Sequence, residues 1–125
     1  MKRTELQNAE NLLNQRKYND ALNAYREILA ASPAPAPAVA AKAQYGIAFV
    51  LSYYDNAQRN YVQAVQELDD FLRIYPTDSR VPEAQNLRFI LKSLIDIKKE
   101  NEHLNNSIEQ LKKLDIRHEE RRGGK

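Results

Sequence analysis

His103 and His118 are the two imidazoles in the chain, and cysteine is absent. They are the first candidates for proton transfer or metal binding, but no proline or glycine separates them. On one continuous helix, a fifteen-residue separation spans ~22 Å, too far for both to reach the same metal ion. Glu102-His103 and His118-Glu119-Glu120 bring acid and base types together without a nucleophile or a third orienting group. Asp69-Asp70 could form a carboxylate pair, yet in a charge-rich helical stretch they read as a solvated face. Of the three glycines, Gly123 and Gly124 lie in a polar tail and Gly46 lies in an apolar run, so no phosphate-binding loop is present. The residue types therefore predict no catalytic site, no metal and no cofactor.

Composition narrows the class further. A chain of 125 residues, 42% hydrophobic and 29% charged, fits one domain with an appendage. Its formal net charge is only +2, and residues 1–91 are balanced, so the excess lies near the C-terminus. That excess is too small and too dispersed for a nucleic-acid surface, which needs a clustered basic face. Tyrosine supplies seven of the aromatic side chains, suiting helix packing with polar tips at the rim. The longest apolar stretch, Ile47 to Leu51 with Tyr53 and Tyr54 beyond, is far too short to span a bilayer. Met1-Lys2-Arg3 resembles the start of a signal peptide, but Thr4-Glu5-Leu6-Gln7-Asn8 supplies no apolar core for one. A cytosolic protein and an exported one whose signal has been removed both remain open.

The element that must organise the chain is its last apolar-periodic run, Val81 to about Arg122. Nothing between Pro82 and Gly123 instructs a helix to stop. With Asn101 at position a of a heptad, Leu87, Leu94 and Ile108 take the other a sites, and Ile90, Ile97, Leu104 and Leu111 take d. This is the seam of a coiled coil containing one polar residue. It decays where Asp115 takes an a site and His118 a d site. The last residues, 121–125, are expected to be a solvated, disordered tail.

Upstream, the periodicity predicts four shorter helices. Leu6, Ala9, Leu12 and Leu13 form the first apolar stripe, ended by Arg16-Lys17. Tyr18, Ala21, Leu22, Tyr25, Ile28 and Leu29 form the second, stopped by Ser32-Pro33. Residues 34–37 read as an extended Ala-Pro linker. Ala38 to Tyr54 is the third helix, with Ala43, Gly46, Ile47, Val50 and Leu51 inward. After the turn Asp55-Asn56-Ala57-Gln58, the fourth carries Tyr61, Ala64, Val65, Leu68, Phe71 and Leu72 and stops at Tyr75-Pro76. Thr77-Asp78-Ser79 caps the fifth helix, with Pro82 and Glu83 in its first turn.

Two of these stretches overlay. Tyr18-x-x-Ala21-x-x-x-Tyr25-x-x-Ile28, closing at Pro33, matches Tyr61-x-x-Ala64-x-x-x-Leu68-x-x-Phe71, closing at Pro76. Each follows a helix with a small residue, Ala9 or Gly46. The pattern resembles the tetratricopeptide repeat over about residues 3–91. The proline-to-proline spacing of 43 departs from the family's period of ~34, the excess lying in the Ala-Pro linker and the turn after Phe49. Small residues would let the two helices of one unit approach closely, while bulky ones fill the gap to the next. Aligning Ala84-Gln85 with Ala43-Gln44 puts Leu87 where Gly46 stands, which would block a further closely packed helix. The fifth helix then acts as a third first-helix that caps the stack and runs on.

The resemblance implies an all-α, right-handed stack of helical hairpins, five helices in all, ending in a coiled-coil helix. The expected division is 1–91 for the repeat domain, 92–120 for the coiled coil and 121–125 for the tail. It also implies a groove for a protein or peptide, lined by Leu6, Glu10, Leu13, Asn14, Ile47, Val50 and Leu51; the alternative for the apolar members is burial in the core.

Asn101 to Leu114 looks like a parallel leucine zipper of basic-zipper transcription factors. A buried Asn at a favours a parallel, in-register pair, because facing Ile it would be unsatisfied. The upstream segment lacks the basic helix that reads DNA, so no nucleic-acid partner is expected. Leu94, Ile97, Asn101, Leu104, Ile108 and Leu111 are the expected oligomerisation residues of a homodimer. Leu68 to Gln85 resembles repeats of bacterial envelope lipoproteins. That resemblance implies a periplasmic parent anchored to the outer membrane by a lipid, with a cytoplasmic location as the alternative. The expected function is a non-catalytic interaction scaffold. The alternative is a regulatory adaptor whose long helix pairs with a heterologous coiled coil such as a sensor-kinase signalling helix.

Overall fold

The computed structural model describes residues 4–123. Among these the secondary structure is entirely helical: α1 (Glu5–Asn14), α2 (Tyr18–Ala30), α3 (Pro37–Ser52), α4 (Tyr61–Ile74) and α5 (Val81–Gly123). The chain divides into two compact units, 1–92 and 93–125, with α5 belonging to both.

Helix boundaries follow local chemistry. Thr4 and Gln7 form a reciprocal capping box: the Gln7 N–H donates to Thr4 Oγ1 at 3.1 Å, and the Thr4 N–H donates to Gln7 Oε1 at 2.9 Å. At the other end of α1, the Lys17 N–H reaches the Leu12 carbonyl and the Arg16 N–H the Leu13 carbonyl, both at 2.9 Å. This is a Schellman closure, with Arg16 at φ 61° where glycine is usual. Asn60 caps α4 by accepting the Gln63 N–H at 3.0 Å. Ahead of α5, the Asp78 carboxylate accepts the Arg80 N–H at 2.9 Å.

The linker is extended as its composition requires. Ala31 (φ −63°, ψ 145°) and Ala36 (φ −56°, ψ 147°) lie in the polyproline II region, and Pro37 occupies the first turn of α3. The Ser32–Pro33 peptide bond is cis. The third helix ends at Ser52 rather than Tyr54. Its last carbonyls are taken by partners from the following turn: Asn56 Nδ2 donates to the Val50 carbonyl at 3.0 Å, and the Asn60 N–H to the Leu51 carbonyl at 2.8 Å. Asn56 is buried, and its Oδ1 accepts the Gln58 N–H at 3.0 Å, so the turn is built around a satisfied amide.

Within the first unit each helix from α1 to α4 packs on the next, and α1 also touches α3. Small residues mark the contacts: Ala9, Ala21, Ala43, Ala48, Ala64 and Ala84 are all fully buried. Phe71, Leu68 and Val50 are the largest side chains wholly inside. α3 lies at the centre, with eight buried residues against one to three on each neighbour, and it is apolar nearly all round. The opening of α5 seals this core with Ala84 and Leu91, Leu87 packing at its edge. Arg88 Nε donates to the Asp69 carboxylate of α4.

Gly46 does have a packing role, but its neighbour differs from the expected one. A methyl group there would lie 2.6 Å from the Tyr25 ring, so the close approach is to α2 rather than to the second helix of the same hairpin. In the second unit, α5 is helical through Arg121, Arg122 and Gly123. The expected tail over 121–125 is therefore helical as far as Gly123, while Gly124 and Lys125 lie outside the described residues. So does Met1-Lys2-Arg3, the stretch compared with a signal peptide. No described helix is long and apolar enough to cross a membrane.

Candidate interaction surfaces

The seven residues expected to line a groove separate into two groups. Ile47, Val50 and Leu51 are buried, at 2, 0 and 4% exposure, and cannot meet a ligand without opening the core. The reason is the position of α3, which is covered by α2 and α4 and touched by α1. Leu6 and Leu13 are half-buried against the core, whereas Glu10 and Asn14 are exposed. Only α1 therefore presents the expected surface to solvent.

The exposed edge of α3 carries a different set. Tyr45, Phe49 and Tyr53 recur every four residues, and their rings touch in sequence with centroids 6.3 and 5.6 Å apart. Tyr53 also meets Tyr18 of α2 at 5.5 Å and Tyr54 at 5.6 Å, and Tyr45 reaches Phe71 of α4 at 5.7 Å. Phe49 and Tyr54 are exposed, while Tyr18, Tyr45 and Tyr53 are half-buried. The i, i+4 spacing of Tyr45, Phe49 and Tyr53 was visible in the sequence. The stronger apolar signal of Ile47, Val50 and Leu51 on the opposite stripe masked it.

Asp55 ties this aromatic row to the first hairpin. The Tyr18 hydroxyl donates to Asp55 Oδ1, and Arg16 Nη1 lies 3.2 Å from Asp55 Oδ2. Burial and then the Asp55 hydrogen bond push the Tyr18 phenol up to about 12. Burial, reinforced by Glu10, pushes Tyr25 up to about 12, and burial with the Glu83 carboxylate also raises Tyr45. Each effect disfavours the phenolate, so these hydroxyls stay protonated at neutral pH. A second polar tie joins α3 and α4: the half-hidden Glu67 side chain accepts from Nε2 of buried Gln44.

The residues first considered for chemistry stay apart. His103 and His118 are both exposed on α5. Asp69 is engaged by Arg88, and Asp70 by Arg73 at 3.2 Å, so each carboxylate has its own cation. Among the described residues no group of three His, Asp or Glu side chains could hold a metal ion.

The second unit shows one exposed apolar stripe. Leu94, Ile97, Leu104, Ile108 and Leu111 are 39–61% exposed, and Asn101 stands exposed among them. Leu87, which shares the heptad spacing but lies within the expected capping start of the fifth helix, is half-buried on the first unit's core. Comparison with protein-family models, curated proteins and solved structures gives no match.

Proposed function

We propose that the chain is a non-catalytic protein-interaction scaffold. In this reading the first unit is a tetratricopeptide-like stack of hairpins that takes a protein or peptide segment, and the second unit joins the chain to another copy. The observation that carries it is the apolar stripe of Leu94, Ile97, Leu104, Ile108 and Leu111, which the described chain leaves uncovered. Isolated exposed leucines are ordinary; five in heptad order along one helix face are a binding surface. These side chains are 39–61% exposed, so pairing contributes about half of the roughly 1.5–3 kcal/mol of a full burial for each, and ten of them from two copies are on the scale of the association cost of roughly 4–15 kcal/mol.

The stack reading is supported by the order of helix contacts, the buried alanines at the repeat positions and the closing prolines. Its ligand surface is the solvent face of α1 at Glu10 and Asn14 with the aromatic row of α3. Joining two such modules raises avidity for a partner with two matching segments. The resemblance of Leu68–Gln85 to envelope lipoproteins supports a periplasmic setting for this scaffold, with the cytoplasm as the alternative.

Sedimentation equilibrium at micromolar concentration tests the central point. The expected mass is twice the 14.4 kDa of the chain. A monomer would overturn self-association and favour a heterologous helical partner, such as a signalling helix of a sensor kinase.

A further inference from the structure

The stripe on α5 carries information about its partner as well as its existence. It contains one polar member, Asn101, between Ile97 and Leu104, and its flanks carry few charges. At the positions bordering the seam stand Ser93, Glu100 and Ser107 on one side and Lys98, Asn105 and Lys112 on the other. Alternative pairings of this helix with itself can therefore be ranked.

In a parallel pair with no offset, Asn101 meets Asn101 of the second copy, and two amides can satisfy each other. The flanking contacts are then Ser93 with Lys98, Glu100 with Asn105, and Ser107 with Lys112, none of them between like charges. Sliding by one heptad gains two ion pairs, Glu100 of one copy with Lys112 of the second and Glu100 of the second with Lys98 of the first. It also sets Asn101 against Leu94 or Ile108 and loses a layer. Exposed ion pairs are the smaller effect, while an amide buried against hydrocarbon forfeits its hydrogen bonds.

Antiparallel pairings put a positions against d positions, so Asn101 always faces Ile97, Leu104 or Leu111. Setting it against Ile97 also aligns Lys98 with Lys98 and Glu100 with Glu100. Setting it against Leu111 aligns Lys98 with Lys112. The arrangement facing Leu104 avoids like charges but strands both amides. Only the parallel pair without offset meets both conditions.

Resting on the self-association proposed above, we infer that α5 pairs with α5 of a second copy in parallel and in register over Leu94–Leu111, with Asn101 hydrogen-bonded to Asn101 of the second copy. Stoichiometry follows from the same residues. Ile108 at a with Leu104 and Leu111 at d is the two-stranded arrangement, and a polar a position reinforces it. Leu94 with Ile97 is the reverse order, which suits higher assemblies, so Asn101 is the element holding the pair at two.

The cysteine-free chain makes the test direct. Under mild oxidation, full-length Leu104→Cys is expected to form a disulfide-linked dimer in high yield. An oxidised mixture of Leu94→Cys and Leu111→Cys chains is expected to form few mixed dimers. Abundant Leu94–Leu111 cross-linking with little at Leu104 would overturn the parallel register while leaving self-association standing. A monomeric wild-type chain by sedimentation would overturn self-association itself. Asn101→Ile is expected to give species heavier than two copies; a mass and cross-linking pattern identical to wild type would overturn the role given to Asn101.

Discussion

A methyl group at Gly46 would come within 2.6 Å of the Tyr25 ring, and that residue is only 4% exposed. Gly46→Ala should gain ~1 kcal/mol of helix propensity but lose roughly 1–3 kcal/mol to overpacking. The net effect expected is destabilisation by about 1 kcal/mol, measured by urea unfolding and relieved when Tyr25→Leu is added. Arg16, held at φ 61°, offers the opposite case. Arg16→Gly and Arg16→Ala both remove the ion pair with Asp55, yet only glycine removes the strained Cβ. The glycine variant should therefore be ~1 kcal/mol more stable than the alanine variant. The tyrosines make a pH prediction. Tyr18 and Tyr25 are raised to about 12 in the folded chain against 10.0 when free. The unfolded chain gives up its protons first, so their stabilisation is complete below pH 10 and is lost as pH climbs through about 12. Thermal melting followed from pH 8 to 12 should show that fall, and Tyr25→Phe should make it shallower.

At the scale of elements, the turn between α3 and α4 is held by Asn56, whose buried amide donates to the last turn of α3 and accepts from Gln58. Asn56→Asp keeps the acceptor but replaces the donor with a second oxygen facing the Val50 carbonyl. The expected cost is ~2–3 kcal/mol, because an unpaired buried group loses its full solvation. Hydrogen exchange at Arg59 and Asn60, whose N–H groups are fixed by that turn, should report the loosening. α5 behaves differently along its length. Its opening turns are anchored by Ala84 and Leu91, while residues 93–123 have no core of their own in the chain. A peptide of residues 93–123 should have helicity that rises with concentration, and Leu104→Ala should abolish that rise.

At the scale of the whole chain, the first unit is a small closed core and the second is a single helical stretch, the remainder of α5. The core uses alanines and one glycine where helices approach, and aromatic rings where gaps must be filled. Its exposed aromatic edge and the solvent face of α1 are the surfaces left for a peptide under the proposed scaffold function. A peptide library panned against the full chain should select sequences whose binding falls several-fold with Phe49→Ala or Glu10→Lys. Unchanged binding in both variants would remove that surface from consideration. Leu104→Asp should leave those single-site affinities intact while lowering capture of a bivalent ligand, since it acts on pairing alone.

Residue types and periods already contained the five helices, the stops at Pro33 and Pro76, and the heptad order of α5. These depend on local preference and on spacing of 3.6 residues, which a chain carries wherever it goes. The period also marked Ala43, Gly46, Ile47, Val50 and Leu51 as the inward stripe of α3, and tertiary structure decided that Ile47, Val50 and Leu51 would be core rather than groove. α2 and α4 both pack on α3 and leave Tyr45, Phe49 and Tyr53 at the edge, and which neighbours cover a helix is fixed by the other elements. Tertiary structure likewise gave Gly46 to Tyr25 of α2 rather than to the second helix of its own hairpin. Such assignments arise from which side chains arrive from distant parts of the chain, and no spacing within one helix encodes them.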